Sequence, residues 1–137
     1  MRNKIIVTGA AGFIGFHVCK KLIELDQDIL GIDNINSYYE TDIKKARISE
    51  IAKKAKNSDK NWEFVKVDLE EKETLKTIFK RFQPNIVVHL AAQAGVRFSI
   101  TNPDSYVKSN LVGFVNIIEL CRNLNVGHLI YASSSSV

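Results

Sequence analysis

Two kinds of hydrophobic pattern alternate along the chain: short continuous apolar runs and segments with apolar residues at helical spacing. Short continuous runs of apolar or β-branched residues predict strands at residues 4–7, 29–32, 62–67, 86–90 and 128–132. Strands that are covered on both faces carry such continuous runs, whereas half-exposed strands alternate. The pattern therefore predicts a parallel sheet that lies between two layers of helices.

Four segments with helical spacing separate these strands. Their apolar positions are Phe13, Ile14, Val18, Leu22 and Leu25, then Ile48, Ile51, Ala52 and Ala55, then Leu75, Ile78, Phe79 and Phe82, and last Val107, Leu111, Phe114, Ile118 and Cys121. The last helix is predicted to begin at Asn102-Pro103, a side-chain cap followed by proline in the first turn. Strands that alternate with helices in this way require right-handed crossovers, which predicts a doubly wound α/β fold. No repeat or linker interrupts residues 1–137, so one domain is expected.

Composition narrows the class of protein. Apolar residues make up 45% and charged residues 25% of the chain, as in ordinary globular domains. No apolar run approaches the length of a membrane span, and the first residues do not form a signal peptide. Cys19 and Cys121 lie in unrelated segments without metal-ligand spacing. We expect a soluble cytoplasmic domain with reduced thiols and no membrane partner.

The net charge of +4 does not predict nucleic-acid binding. Much of the excess lies in and after the second helix, at Lys44, Lys45, Arg47, Lys53, Lys54, Lys56 and Lys60. The apolar residues of that segment define one buried face, so its lysines are interpreted as the solvated face. No aromatic side chains lie among these lysines to stack on bases.

A glycine-rich turn joins the first strand to the first helix. It reads Thr8-Gly-Ala-Ala-Gly-Phe-Ile-Gly15. Glycines let the backbone approach a pyrophosphate, and a helix N-terminus supplies unpaired N–H groups with partial positive charge. Gly15 allows close packing of the helix on the sheet. In this strand–turn–helix context the motif predicts dinucleotide binding.

Acidic and small residues follow the other strands at the same edge of the sheet. Asp33 ends the second strand, where a carboxylate accepts hydrogen bonds from ribose hydroxyls and repels a 2′-phosphate. This favours NAD over NADP, although a solvated strand-end aspartate is the alternative. Asp68 and Leu69 follow the third strand; they either meet the adenine or Asp68 caps the next helix. The small residues of the segment 90–95 either leave room for a cofactor or pack in a dry loop.

Other polar residues carry weaker signals. His17, His89 and His128 have unrelated spacings, so no metal site is expected. Arg97 is equally consistent with an anion contact in a loop and with a surface arginine. The run Ser133–Ser136 directly follows the last strand, where hydroxyls can donate to a substrate, and no triad partner supports a hydrolase.

Three further stretches resemble a known family. These stretches are Gly31-Ile-Asp-Asn-Ile-Asn-Ser-Tyr-Tyr39, His89-Leu-Ala-Ala-Gln-Ala-Gly-Val-Arg97 and Tyr131-Ala-Ser-Ser-Ser-Ser-Val137. The Gly-x-x-Gly-x-x-Gly spacing of the turn after the first strand points to the same family. The chain resembles the extended short-chain dehydrogenase/reductases of the NAD-dependent epimerase/dehydratase family, and within them the UDP-glucuronate 4-epimerases. The resemblance covers the whole chain, with Phe98 standing where the family more often has tyrosine. It implies a Rossmann-type NAD-binding domain.

The resemblance also implies roles for individual residues. The implied NAD contacts are Gly9, Gly12, Phe13, Ile14, Gly15, Asp33, Asn34, Asn36, Ser37, Asp68, Leu69, Leu90, Ala91, Ala92, Gln93 and Ser109. Ser134 matches the catalytic serine or threonine of the family, and Ser135 and Ser136 match substrate-binding positions.

The family's Tyr-x-x-x-Lys pair has no counterpart in these 137 residues. The resemblance therefore implies the N-terminal, NAD-binding part of an epimerase that interconverts UDP-glucuronate and UDP-galacturonate through a 4-keto intermediate. The C-terminal substrate-binding part is expected to lie beyond Val137, and this chain alone is expected to be inactive. A homodimer is implied for the longer protein. The alternatives are another NAD-dependent nucleotide-sugar epimerase or dehydratase, and a non-catalytic NAD-binding module.

Overall fold

Five parallel strands form one sheet in the computed structural model, which describes residues 2–134. The strands are β1 (Lys4–Thr8), β2 (Asp28–Asp33), β3 (Trp62–Lys66), β4 (Ile86–His89) and β5 (His128–Tyr131), in the order β3-β2-β1-β4-β5. The helices are α1 (Phe13–Glu24), α2 (Thr41–Asn57), α3 (Lys72–Phe82), α4 (Val96–Thr101), α5 (Pro103–Tyr106) and α6 (Gly113–Asn123), with a π-helical turn at Val107–Val112. The predicted doubly wound parallel sheet is confirmed.

Two hydrophobic cores lie on opposite faces of the sheet. Successive side chains of a strand point to opposite faces. Accordingly Ile5 and Val7 of β1 belong to the core that includes residues of α1 and α2, while Ile6 belongs to the core of α3 and α6. Both faces of β1 are therefore covered, which explains its uninterrupted apolar run.

The chain reverses its direction across the sheet next to β1. It passes from β1 to β2 and β3 on one side and then returns to β4 on the other side. Thr8, at the carboxyl end of β1, pairs in register with Ile32 of β2 and His89 of β4. Connections leave these neighbouring strands in opposite directions, which opens a crevice at their carboxyl ends.

The last helical region differs from its prediction. Helix α4 occupies Val96–Thr101, in place of the loop expected around Arg97. The expected side-chain cap at Asn102 is wrong, because its side chain makes no cap bond and its Oδ1 instead accepts the Ser105 hydroxyl at 3.0 Å.

The predicted core face of this region is also largely wrong. Val107, Leu111 and Ile118 are exposed, and the buried positions of α6 are Gly113, Asn116, Ile117, Leu120 and Cys121. Apolar residues lie on several sides of this helix, so that its pattern admits two faces one residue apart. The polar Asn116 is buried because its Nδ2 donates to the carbonyl of Leu69 at 2.8 Å.

The lysine-rich helix α2 is amphipathic, with two departures from the predicted faces. Ile51 and Ala55 are buried as predicted, although Ala52 is exposed. Lys45 lies on the solvated face, but Lys44 is only 7% exposed, so the solvated interpretation is wrong for Lys44. Among residues 2–134, no helix combines the length and hydropathy needed to cross a bilayer.

Candidate functional site

The glycine turn is packed so closely that side chains are excluded. Gly9 has φ +71°, and a Cβ there would lie 2.8 Å from the amide nitrogen of Ala91. A Cβ at Gly15 would overlap the carbonyl oxygen of Gly9, which is impossible without moving α1. The Gly12 amide donates to Gly9 O at 3.0 Å and closes the turn. The turn thus directs the N-terminus of α1, with its partial positive charge, at the crevice.

Asp33 ties this turn to the end of β2. Asp33 is 9% exposed, and its carboxylate accepts two backbone amides, that of Ala11 on Oδ2 at 3.1 Å and that of Ile35 on Oδ1 at 2.9 Å. Each carboxylate oxygen has a second lone pair, so both retain the capacity to accept a hydroxyl. The alternative of a solvated strand-end aspartate is wrong.

The loop that follows Asp33 is strained. Ile35 has φ +52°, a left-handed conformation that β-branched residues rarely adopt. Such strain costs on the order of 1–3 kcal/mol and persists only where surrounding contacts hold it. The Lys44 ammonium supplies two such contacts, donating to Asn36 O at 2.9 Å and to Asn36 Oδ1 at 2.7 Å.

The glycine turn and the loop after β2 form two walls of the crevice, and the residues that follow β3 form a third. Asp68 Oδ1 accepts the side-chain amide of Asn34 at 2.6 Å. Helix α3 begins after Glu71 without a side-chain cap, so the alternative that Asp68 caps this helix is wrong. Asp68 instead joins the loops that follow β2 and β3.

The fourth wall is formed by the segment that follows β4. The amide of Gln93 donates to Asn110 Oδ1 at 2.8 Å, and Asn110 Nδ2 donates back to Gln93 O at 3.0 Å. Asn110 lies in the π-helical turn, as does Ser109. π-helical turns are rare and occur frequently at functional sites. No local sequence signal points to Asn110, whose partner lies 17 residues away.

A hydroxyl and a histidine join the ends of β1 and β4. Thr8 Oγ1 accepts the amides of Leu90 and Ala91, each at 3.2 Å, and lies 2.7 Å from His89 Nδ1. Because the two amides occupy the hydroxyl lone pairs, we assign the Thr8 proton to the bond with Nδ1. His89 is then neutral and carries its own proton on Nε2.

His89 is expected to make folding sensitive to acid. His89 is 6% exposed and its imidazole stacks on Phe114. Burial lowers the pKa of His89 from 6.5 to about 4. The folded protein thus binds a second imidazole proton more weakly than the unfolded chain does. The contribution of His89 to the unfolding free energy is therefore complete above pH 6.5 and is lost as the pH falls toward 4. We expect a loss of about 2–3 kcal/mol in unfolding free energy between pH 7 and pH 4, measured by urea denaturation.

The variant His89→Gln should lose this contribution, while His128→Gln, at an exposed position, should keep the wild-type profile. Identical pH profiles for wild type and His89→Gln would contradict the assignment.

These walls enclose a cavity of about 340 Å³, within the size range of small-molecule sites. The predicted site residues that line it are Gly9, Gly12, Asp33, Asn34, Asn36, Asp68, Leu69, Leu90, Ala91, Ala92, Gln93 and Ser109. The lining residues that sequence reasoning missed include Tyr38, Tyr39, Lys44 and Lys108.

Other predicted residues lie outside the lining. Phe13 and Ile14 are exposed at the start of α1, and Gly15 is buried under the turn. Ser37 is exposed on the loop after β2, and Ser134 is exposed beyond the end of β5. Ser135 and Ser136 fall outside the described residues. Arg97 is exposed on α4 and does not line the cavity.

The backbone of the cavity suits a dinucleotide. Gly9 and Gly12 line it without side chains, next to the first turn of α1, as a pyrophosphate requires. Asp33 lines it at the end of β2 with lone pairs available for ribose hydroxyls. Among residues 2–134, no group of three or more His, Cys, Asp or Glu side chains is arranged to hold a metal ion.

Known proteins of similar sequence include UDP-glucuronate 4-epimerases. The chain is 51% identical over 134 residues to Protein CapI of Staphylococcus aureus, covering 98% of this chain and 38% of that protein. It is 41% identical to a UDP-glucuronate 4-epimerase of Thermodesulfobacterium geofontis, covering 96% of this chain and 39% of that protein. This chain therefore spans less than half the length of these relatives.

A solved structure and a family comparison agree with these similarities. The UDP-glucose 4-epimerase of Thermus thermophilus, crystallised in complex with NAD, superposes with a TM-score of 0.76 at 33% identity, covering 98% of this chain and 38% of that one. Residues 5–137 match the NAD dependent epimerase/dehydratase family. The family predicted from the sequence is confirmed, and NAD is the cofactor of that family. The chain belongs to the NAD dependent epimerase/dehydratase family.

Proposed function

We propose that this chain is the NAD-binding half of a nucleotide-sugar 4-epimerase that interconverts UDP-glucuronate and UDP-galacturonate. The observation that carries the proposal is the cavity in which the glycine turn, Asp33 and the segment 90–93 meet. Similarity to a UDP-glucuronate 4-epimerase over nearly the whole chain supports the choice of sugar. The relative that was crystallised with NAD supports the choice of cofactor.

Each wall of the cavity fits one part of the cofactor. The backbone of Gly9 and Gly12 and the start of α1 would hold the pyrophosphate. Asp33 would accept the adenosine ribose hydroxyls, and Asp68 lies where the adenine edge would be recognised. Ala91, with its small side chain, leaves space for the cofactor on the β4 side.

The chemistry in this proposal is a reversible oxidation of the sugar. When bound, NAD would supply a reversible acceptor for the hydride of the sugar C4 carbon. Ser134, beyond the carboxyl end of β5, would hydrogen-bond the sugar 4-hydroxyl and orient it. The proton of that hydroxyl requires a general base, which the family supplies from a Tyr-x-x-x-Lys pair and these 137 residues do not contain.

The serine run supports an acidic sugar. Ser134, Ser135 and Ser136 offer adjacent hydroxyl donors, and a carboxylate has about four lone-pair sites that can accept them. Hydrogen bonds to a charged acceptor are roughly twice as strong as those to a neutral one. We therefore expect the complete gene product to have at least about tenfold higher kcat/KM for UDP-glucuronate than for UDP-glucose.

The variant Ser134→Ala tests the role of the serine. Loss of one orienting hydrogen bond should lower kcat about tenfold while leaving NAD affinity unchanged. Ser133→Ala, at the neighbouring exposed position, is the matched control. Chromatography of the UDP-sugars formed by the complete gene product measures both variants.

Two outcomes separate the candidate functions, and a third tests the role of Ser134. A preference for the neutral sugar would contradict the choice of UDP-glucuronate in favour of another nucleotide-sugar reaction of the family. NAD binding without turnover by the complete gene product would favour a non-catalytic module. An unchanged kcat in Ser134→Ala would remove this serine from the mechanism. The homodimer that the family resemblance implies for the longer protein stays a prediction.

A further inference from the structure

A buried lysine residue supports the loop after β2. Lys44 lies in the first turns of α2, lines the cavity and is 7% exposed. Lysine is rarely buried to this extent unless its charge has partners. Burial lowers the pKa of Lys44, and the nearby charge of Asp33 opposes this effect. The helix thus holds a partly desolvated cation against the loop after β2.

That cation begins a continuous series of hydrogen bonds along the rim of the cavity. Lys44 Nζ donates to Asn36 Oδ1 at 2.7 Å, and the Asn36 amide donates to Asn34 Oδ1 at 3.1 Å. Asn34 Nδ2 then donates to Asp68 Oδ1 at 2.6 Å. The series links α2, the loop after β2 and the end of β3 around one side of the cavity.

The strained residue lies inside this series. Ile35, with φ +52°, is flanked by Asn34 and Asn36, and its amide is held by Asp33 Oδ1. A β-branched residue leaves this conformation when its surroundings release it. Lys44 is the contact that fixes the far side of the loop, through both the carbonyl and the side chain of Asn36.

We propose that Lys44 is a positioning residue that holds residues 34–36 in their strained shape and thereby sets the affinity for the adenosine half of NAD. This inference rests on the proposed NAD site. The wall that contains Asp33, Asn34 and Asn36 is the one that faces the adenosine ribose in that proposal. A preorganised loop loses less conformational freedom when the ligand binds.

Calorimetric titration of the protein with NAD, ADP-ribose and nicotinamide mononucleotide tests the inference. Lys44→Met should weaken binding of NAD and ADP-ribose about tenfold, or about 1.4 kcal/mol, and leave that of nicotinamide mononucleotide unchanged. Lys45→Met, on the same helix at a position with an exposed side chain, should match the wild type. Lys44→Arg should recover most of the lost affinity.

A second substitution separates positioning from direct contact. Glycine adopts the left-handed conformation without strain, so Ile35→Gly should restore much of the affinity when added to Lys44→Met. If the double variant binds as weakly as Lys44→Met, the strained loop is not the route of the effect and the inference is overturned. If Lys44→Met does not fold, Lys44→Gln, whose neutral amide keeps two N–H donors on a shorter side chain, replaces it in the same comparison.

Failure of this inference and failure of the proposed function give different results. Wild-type protein that binds neither NAD nor ADP-ribose would overturn the proposed cofactor site itself. Wild-type protein that binds NAD, together with Lys44→Met that binds it as tightly as Lys45→Met, would overturn only the role of Lys44.

Discussion

Replacing Gly15 with alanine is expected to abolish measurable NAD binding and to lower the unfolding free energy by about 3–5 kcal/mol. The new Cβ would overlap the carbonyl oxygen of Gly9 and lie 2.8 Å from its carbonyl carbon. Both are backbone atoms of a turn that is itself held against Ala91. The clash therefore has to displace the N-terminus of α1, the element that is proposed to face the pyrophosphate.

Urea denaturation and NAD titration measure the two effects of this change. Gly127→Ala is the matched control, because a Cβ there would lie 3.4 Å from Asn85 O, an ordinary contact distance. The control should retain wild-type affinity. A Gly15→Ala protein that binds NAD like the wild type would contradict the position assigned to the pyrophosphate.

Asp33→Ala is expected to weaken NAD binding about a hundredfold and to remove the preference for NAD over NADP. The carboxylate is proposed to accept ribose hydroxyls and to repel the 2′-phosphate of NADP. It also accepts the amides of Ala11 and Ile35, and a buried amide that loses its partner costs about 1–3 kcal/mol. The same substitution should therefore lower stability as well as affinity.

Asp28→Ala provides the control for this prediction. Asp28 begins the strand that Asp33 ends, and its carboxylate accepts the side-chain amide of Asn61 at 2.8 Å, far from the cavity. The control should change stability without changing the ratio of NAD to NADP affinity. Equal affinities for the two cofactors in the wild type would contradict the role of Asp33 in selectivity.

The layers of the fold and two walls of the site follow from local sequence signals. The uninterrupted apolar runs predict buried parallel strands. Their parallel pairing is confirmed by the register between Thr8 and His89, but the predicted burial is wrong for β5, whose residues are largely exposed. The glycine turn and Asp33 are predictable because their spacing along the chain fixes their positions in a strand–turn–helix unit.

The remaining features depend on contacts between residues that are distant in sequence. Helical spacing groups Lys44 with the solvated lysines, because it does not show the loop that folds over that part of α2. The side chain of Asn116 is buried on the core side of α6, where its amide nitrogen donates to the carbonyl of Leu69. The contribution of Asn110 likewise depends on Gln93, a partner that periodicity does not reveal.

The proposed place of NAD is the cavity at the carboxyl ends of β1, β2 and β4. Titration of ¹⁵N-labelled protein with NAD, followed by the amide NMR resonances, locates the bound cofactor residue by residue. We expect saturable shifts at Gly9, Gly12, Asp33, Ala91 and Ala92. We expect no shifts at Asn85 and Gly127, which precede the amino ends of β4 and β5. Shifts confined to the amino ends of the strands, or no saturable shifts with NAD, would show that the cavity is not the cofactor site.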